Sequence, residues 1–301
     1  MVDLTETKSV PQNGTAAAMG LFDGLHKGHR AVISRAAEIA AQNGLSPAVF
    51  TFDTESVTSK GDGGVRYILS REIKLRLISG LGAEYVYSPN FAEVKDMNGE
   101  DFVRIILRDR LKAEYAVCGE DFRFGKGAKW GTAELEKLCG EFGIRLFVVP
   151  DVKGKNGRRV SSTMIRELIG SGDVQAANEL LGSCFSFELP VSEGRKLGRT
   201  IDFPTINQII PHGQVLPKFG VYTSETEVCG RIYKSITNVG VKPTVGCTTP
   251  LVETYITNFD GDLYGKTVRV SLIKFVRPEM KFGSIDELKK RISLDIESIE
   301  K

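Results

Sequence analysis

The rhythm of apolar residues changes once along this chain, near residue 183, and that change limits the fold more than any other feature. Before it, short apolar runs alternate with longer stretches of helical spacing. Strands are predicted at Thr15–Leu21, Pro47–Phe52, Glu84–Tyr87, Tyr115–Cys118 and Ile144–Val149. Helices are predicted at Gly28–Gly44, Arg71–Leu81, Glu100–Leu111 and Thr132–Phe142, with residues 54–69 as a polar, Gly-rich loop. Strands alternating with helices of ten or more residues imply βαβ units and a parallel sheet. Such a sheet binds ligands where its strands lead into helices.

Residues 161–182 read as a helical connector, interrupted at Gly170–Gly172 and restarted by Asp173 as a cap. From about 184 to 276 the helical period is lost. β-rich runs at Phe219–Thr226, Arg231–Val239, Val252–Thr257 and Thr267–Phe275 are separated by Gly, Pro and Asn, which suggests a small antiparallel barrel. Ile285–Ile299 carries Ile285, Leu288, Ile292, Ile296 and Ile299 on one stripe and closes the chain as an amphipathic helix. The expected architecture is therefore an α/β domain over 1–183 followed by a β-barrel domain over 184–301.

Charge narrows the functions. The chain has 301 residues and a net charge of +2, so it is no general binder of nucleic acid, and phosphate contacts must come from local groups. No apolar run approaches the roughly 18–20 residues that span a bilayer, and the polar N-terminus lacks a leader pattern, so a cytoplasmic protein is expected. The five Cys are scattered without a C-x-x-C pair and read as buried reduced thiols.

Five segments could carry chemistry. Gly20–His29 reads G-L-F-D-G-L-H-K-G-H. A strand exits at Gly20, turns through Phe22, Asp23 and Gly24, and starts a helix whose first turn places His26 and His29 on one face. A helix N-terminus is an anion site, and imidazoles add donors without fixed charge. Cys118–Gly125 reads C-G-E-D-F-R-F-G. Its Asp121, Phe122, Arg123 and Phe124 could stack a flat ring and hold a charge. Ser161, Ser162, Thr163 and Arg166, in S-S-T-M-I-R, open another helix, behind the basic loop Lys153–Arg159. Gly194–Asn207 reads G-R-K-L-G-R-T-I-D-F-P-T-I-N. Gly194 and Gly198 let backbone approach phosphate, Lys196 and Arg199 supply charge, and Thr205 and Asn207 offer neutral oxygens to Mg²⁺. Glu253, on a strand with Leu251 and Tyr255 on its face, could act as a general base.

The H-x-G-H arrangement resembles the nucleotidylyltransferase superfamily, whose domain is Rossmann-like. Taken in order, the motifs resemble the bacterial bifunctional riboflavin kinase/FMN adenylyltransferases, or FAD synthetases, from about Gly20 to Ile299. The likeness also includes N-V-G-V-K-P-T (Asn238–Thr244), D-L-Y-G-K (Asp262–Lys266) and R-P-E-M-K-F (Arg277–Phe282). It implies that His26, His29, Arg166 and the nearby serines hold ATP in the first domain, where an FMN phosphate attacks the α-phosphorus and releases pyrophosphate. It implies that Gly194–Arg199 cover ATP in the barrel, that Thr205 and Asn207 help hold Mg²⁺, and that Glu253 takes the proton of the riboflavin 5′-hydroxyl. The implied partners are small molecules: riboflavin, FMN, FAD and ATP. The sequence assigns no oligomeric state.

The chain departs from the family at Phe52–Ser56, which reads F-D-T-E-S where F-D/E-P-H-P is usual. It departs again at Leu189, Glu193 and Asp202. Two other readings therefore stay open on the residues alone. One is a riboflavin kinase with a degenerate first domain. The other is a flavin-binding regulatory module that contacts RNA through Lys153–Arg159.

Overall fold

The computed structural model describes residues 1–7, 10–54, 66–155, 157–193, 203–244 and 247–297, without the side chains of 242–248. The chain divides into two compact units, Met1–Ser162 and Thr163–Lys301.

The first unit is built on six parallel strands: β1 Val2–Asp3, β2 Thr15–Met19, β3 Ser46–Phe50, β4 Tyr85–Tyr87, β5 Ala113–Gly119 and β6 Arg145–Val149. Their order is β1-β4-β3-β2-β5-β6. From β2 the chain builds outward through β3 and β4, then returns to place β5 and β6 on the other side. The crevice beyond the carboxyl ends of β2 and β5 is thus the topological switch point, where such sheets bind ligands. All five residues of β2 are buried, as a strand covered on both faces must be. The helix Lys27–Asn43 covers it with Val32, Ile33, Ala36, Ile39 and Ala40 and ends on Gly44, whose φ of +67° suits glycine.

Some elements differ from expectation: the short helix Phe91–Val94 and the barrel strands Ser186–Pro190 and Thr205–Ile209 were not expected. The segment predicted as one helix over Glu100–Leu111 starts as α at Gly99–Asp101 and continues as a π-helix over Phe102–Arg110. Periodicity places both kinds of turn, but it does not distinguish i→i−4 from i→i−5 bonding. The polar N-terminus also supplies an edge strand, β1, which pairs with β4 and leads into the fully buried Leu4.

The connector forms as expected. Helices run over Ser162–Ser171 and Val174–Leu181, and Asp173 caps the second by accepting from Ala176 N. The second unit holds β7 Ser186–Pro190, β8 Thr205–Ile209, β9 Gly220–Val228, β10 Arg231–Thr244, β11 Cys247–Ile256 and β12 Thr267–Arg277. They form an antiparallel sheet ordered β7-β12-β9-β10-β11-β8, nearly closed into a barrel by a Ser192–Asn207 bridge.

Part of the barrel interior is polar. Ser224, Thr226, Ser235, Thr237 and Thr254 are buried and satisfy one another through hydroxyl bonds of 2.7–2.9 Å. The helix Ile285–Glu297 is fixed less by its apolar stripe than by charge. Ile285 is exposed, whereas Asp295 is buried and binds Arg277 at 2.7 Å and Arg291 at 3.1 Å. Ile299 lies outside the described residues. Cys118 and Cys139 are buried thiols, as expected, while Cys184 and Cys229 are free but exposed.

Candidate functional site

The turn between β2 and the first helix is unusual in its backbone. Phe22, Gly24 and Leu25 have φ of +50°, +83° and +43°. Positive φ costs a β-substituted residue energy, so the surroundings must hold this turn in place. They do so with buried groups. Asp23 Oδ1 accepts from Ile68 N at 2.9 Å, and Asp23 O accepts from Ser162 Oγ at 2.8 Å. Thr51 Oγ1 donates to Leu21 O at 2.8 Å. Phe22 and Leu25 are fully buried. A Cβ on Gly20 would lie 2.7 Å from the Phe22 ring, so a side chain there would displace it.

His26 is the N-cap of the helix, and its Nδ1 accepts from His29 N at 3.3 Å. The two imidazoles stack with centroids 3.6 Å apart, and the Phe22 ring meets His29 edge-on at 5.4 Å. Gly28 keeps this packing open, since a Cβ there would reach 3.2 Å from the His26 ring. Burial lowers His26 from 6.5 to about 4, with nearby Arg159 adding to the shift and Asp121 opposing it. Burial, and then His26, Lys74 and Arg159, hold His29 well below 6.5. Both rings are therefore neutral at pH 7. The Nδ1 of His29 is buried without a hydrogen-bond partner.

The loop after β5 lies on the other side of the switch point. Asp121 pairs with Arg159, which also binds Asp151 at 3.2 Å. Phe122 and Phe124 line a cavity of about 430 Å³ with Phe50, Phe52, Phe91 and Phe102. Phe122 and Phe124 lie nearly parallel at 6.0 Å, and Phe52 meets both Phe50 and Phe91 edge-on. Arg123 borders the same cavity. A Cβ on Gly125 would lie 2.2 Å from Trp130, the chain's single tryptophan, so the indole needs glycine there. A planar aromatic ligand fits a slot with such walls.

Sequence reasoning missed two charged residues of this region. Arg159 appeared only as part of a basic loop. Lys74 stands on the buried face of the helix Arg71–Gly80, beside Ile73 and Ile78. A lysine on an apolar stripe was the signal that could have found it. Ser161 precedes the connector helix and Ser162 opens it. Thr163 and Arg166 follow in the same helix, within the second unit.

In the barrel, register places three of the expected residues. Asn207 on β8 stands opposite Glu253 on β11, which stands opposite Asn238 on β10. Opposed residues share a sheet face with Cβ atoms about 5 Å apart. Thr205 is two residues along β8, on the same face and opposite Tyr255. A cavity of about 600 Å³ adjoins this row, lined by Thr205, Thr254, Ile256, Phe259, Asp262 and Tyr264 among others. Glu253 and Asn207 do not line it. Beyond them, a Cβ on Gly240 would strike the Glu279 carboxylate at 2.2 Å, and Glu279 accepts from Asn238 Nδ2 at 3.3 Å. Gly194, Lys196, Gly198, Arg199 and Asp202 lie outside the described residues, as do Glu55 and Ser56.

The neutral hydroxyl and amide oxygens of Thr205 and Asn207, two residues apart on β8, are hard donors of the kind that fits Mg²⁺. Among the described residues no cluster of three His, Cys, Asp or Glu could hold a metal instead. No helix among them is long and apolar enough to cross a membrane.

A paired-imidazole turn at the switch point of one unit, and an oxygen-rich row on the barrel of the other, define a two-domain transferase that uses nucleotides. The comparisons give the family. A family model described as FAD synthetase matches residues 8–164, and one described as riboflavin kinase matches residues 181–301. The chain is 34% identical to the bifunctional riboflavin kinase/FMN adenylyltransferase of Bacillus subtilis (strain 168), over 94% of this chain and 91% of that one. It is 33% identical to that of Listeria monocytogenes serovar 1/2a, over 92% and 89%. A solved structure from Streptococcus pneumoniae, named as a macrolide-efflux protein, matches with a TM-score of 0.86 and 28% identity over 99% of this chain and 98% of that one. The chain belongs to the bifunctional riboflavin kinase/FMN adenylyltransferase family.

Proposed function

We propose that the barrel phosphorylates riboflavin to FMN and that the α/β unit adenylylates FMN to FAD, each step consuming ATP. The observation that carries this reading is the pairing of two built sites, the stacked His26–His29 turn beside an aromatic slot and the Asn207–Glu253 row beside a second cavity. Residues 1–183 carry adenylyl transfer and residues 184–301 carry phosphorylation.

In the first domain the aromatic slot takes the flavin ring, between the Phe122–Phe124 pair and the Phe52–Phe91 wall, with Arg123 at its edge. The ATP phosphates rest at the helix N-terminus against His26 and His29. Neutral imidazoles donate hydrogen bonds to phosphate without binding the product pyrophosphate as firmly as fixed cations would. The FMN phosphate oxygen attacks the α-phosphorus, and the bond to the β-phosphate oxygen breaks. Catalysis here is placement and stabilisation of charge.

In the second domain Glu253 accepts the proton of the riboflavin 5′-hydroxyl as that oxygen attacks the γ-phosphorus, whose bond to the bridging oxygen of the β-phosphate breaks to release ADP. Thr205 and Asn207 would hold Mg²⁺, which when bound neutralises phosphate charge. Gly194–Arg199 would cover the phosphates, and the cavity bordered by Asp262 and Tyr264 accommodates the nucleoside. Free thiols and the small-molecule substrates support a cytoplasmic setting.

Two variants test the division of labour. Glu253→Gln should stop FMN formation by at least a hundredfold and leave FAD formation from supplied FMN intact. His29→Ala should do the reverse. Loss of both activities in either folded variant would refute separate sites.

A further inference from the structure

Resting on that reading of the α/β unit, we propose that Lys74 is a positioning residue for adenylyl transfer, a buried cation that ties the His turn to the flavin slot and sets the electrostatic potential behind His29. Its side chain is 1% exposed. Nζ donates to Phe52 O at 2.6 Å and to Thr51 Oγ1 at 3.4 Å. Thr51 Oγ1 passes its own proton on to Leu21 O at 2.8 Å. One ammonium therefore fixes both a wall residue of the slot and the turn that presents the imidazoles. The same N-terminal end of the helix is held a second time, where Asp23 Oδ1 accepts from Ile68 N just before the Ser70 cap.

The charge arrangement gives this position a further role. Two nearby cations, Lys74 and Arg159, act on His29. Arg159 is exposed and already paired with Asp121 and Asp151. Lys74 is buried, donates to Phe52 O and Thr51 Oγ1 and is also acted on by Asp23 and Asp53, so solvent screens its field less than that of the exposed Arg159. Negative charge moves onto the departing pyrophosphate during the reaction, and a preorganised buried cation favours that shift. The groups facing Lys74 are Asp23 from the turn, Asp53 from the exit of β3, His29 from the first helix and Arg71 from its own helix. Burial lowers Lys74 to about 8, Asp23 and Asp53 oppose the shift, and Arg71 adds to it. The charged form is therefore lost as pH rises through about 8.

The test uses the full chain with FMN, ATP and Mg²⁺, follows pyrophosphate release, and monitors FMN binding by quenching of Trp130. Lys74→Met should lower kcat for adenylylation at least tenfold, keep the KM for FMN within threefold and leave riboflavin phosphorylation unchanged. Lys74→Arg should recover part of the loss and shift the alkaline limb of the wild-type pH profile to higher pH. Wild-type kcat in Lys74→Met would overturn the proposal. So would loss of kcat together with FMN binding, which marks a merely structural lysine. If Trp130 emission shows that Lys74→Met is misfolded, the alkaline limb of Lys74→Arg decides alone, and an unshifted limb refutes the proposal. Failure of the wild-type chain to release pyrophosphate would remove the adenylylation reading itself, and the Lys74 proposal with it.

Discussion

The His pair should make the α/β unit sensitive to acid well above the range in which carboxylates titrate. His26 titrates at about 4 in the folded chain and 6.5 in the unfolded one. Between those values the unfolded state binds a proton that the folded state refuses, so stability falls as pH falls. The proton-binding contribution of His26 at pH 7 is about 0.2 kcal/mol, and at pH 5 it is about 2 kcal/mol in favour of the unfolded chain. Lowering the pH from 7 to 5 should therefore cost about 2 kcal/mol through His26, with His29 adding in the same direction. His26→Asn separates this effect from capping. Asparagine keeps an acceptor for His29 N at the N-cap and removes the titrating ring. Urea unfolding followed by Trp130 fluorescence, at pH 7 and pH 5, reads the α/β unit, because that is where the single tryptophan sits. The variant should lose about 2 kcal/mol less than the wild type over this interval. Parallel losses in the two proteins would show that His26 is not held neutral.

Other perturbations follow from single contacts. Phe122→Ala removes one face of the aromatic slot and should raise the KM for FMN in adenylylation about tenfold, from roughly 1.5 kcal/mol of lost ring contact, while riboflavin kinase kinetics stay at wild-type values. Asp295→Ala takes the buried carboxylate from the partly buried Arg277 and should destabilise the barrel unit by about 3 kcal/mol, read as earlier loss of kinase activity in a urea titration.

Much of this molecule was legible because its signals are local. The Asp173 cap, the Gly44 stop and the strand-to-helix turn at Gly20–His29 are each written within a few residues. The pairing of Asn207 with Glu253 was not legible, because register between β8 and β11 depends on how the barrel closes. The aromatic slot draws Phe50, Phe91, Phe102 and Phe122 from four separate segments, and only the last was singled out from sequence. Asp23 was read as part of the turn. Its carboxylate accepts backbone N–H groups from Ile68 and Leu69, contacts that depend on a distant segment. The hydroxyl-rich interior of the barrel also hid its pattern, since Ser224, Thr226 and Thr237 carry no hydrophobic alternation.

The most direct measurement incubates the purified chain with riboflavin, ATP and Mg²⁺ and separates the flavins over time. FMN should rise first and FAD follow, with ADP and pyrophosphate released in the corresponding amounts. Accumulation of FMN without FAD would contradict the role given to the His26–His29 turn, and binding of riboflavin without ADP production would contradict the role given to Glu253.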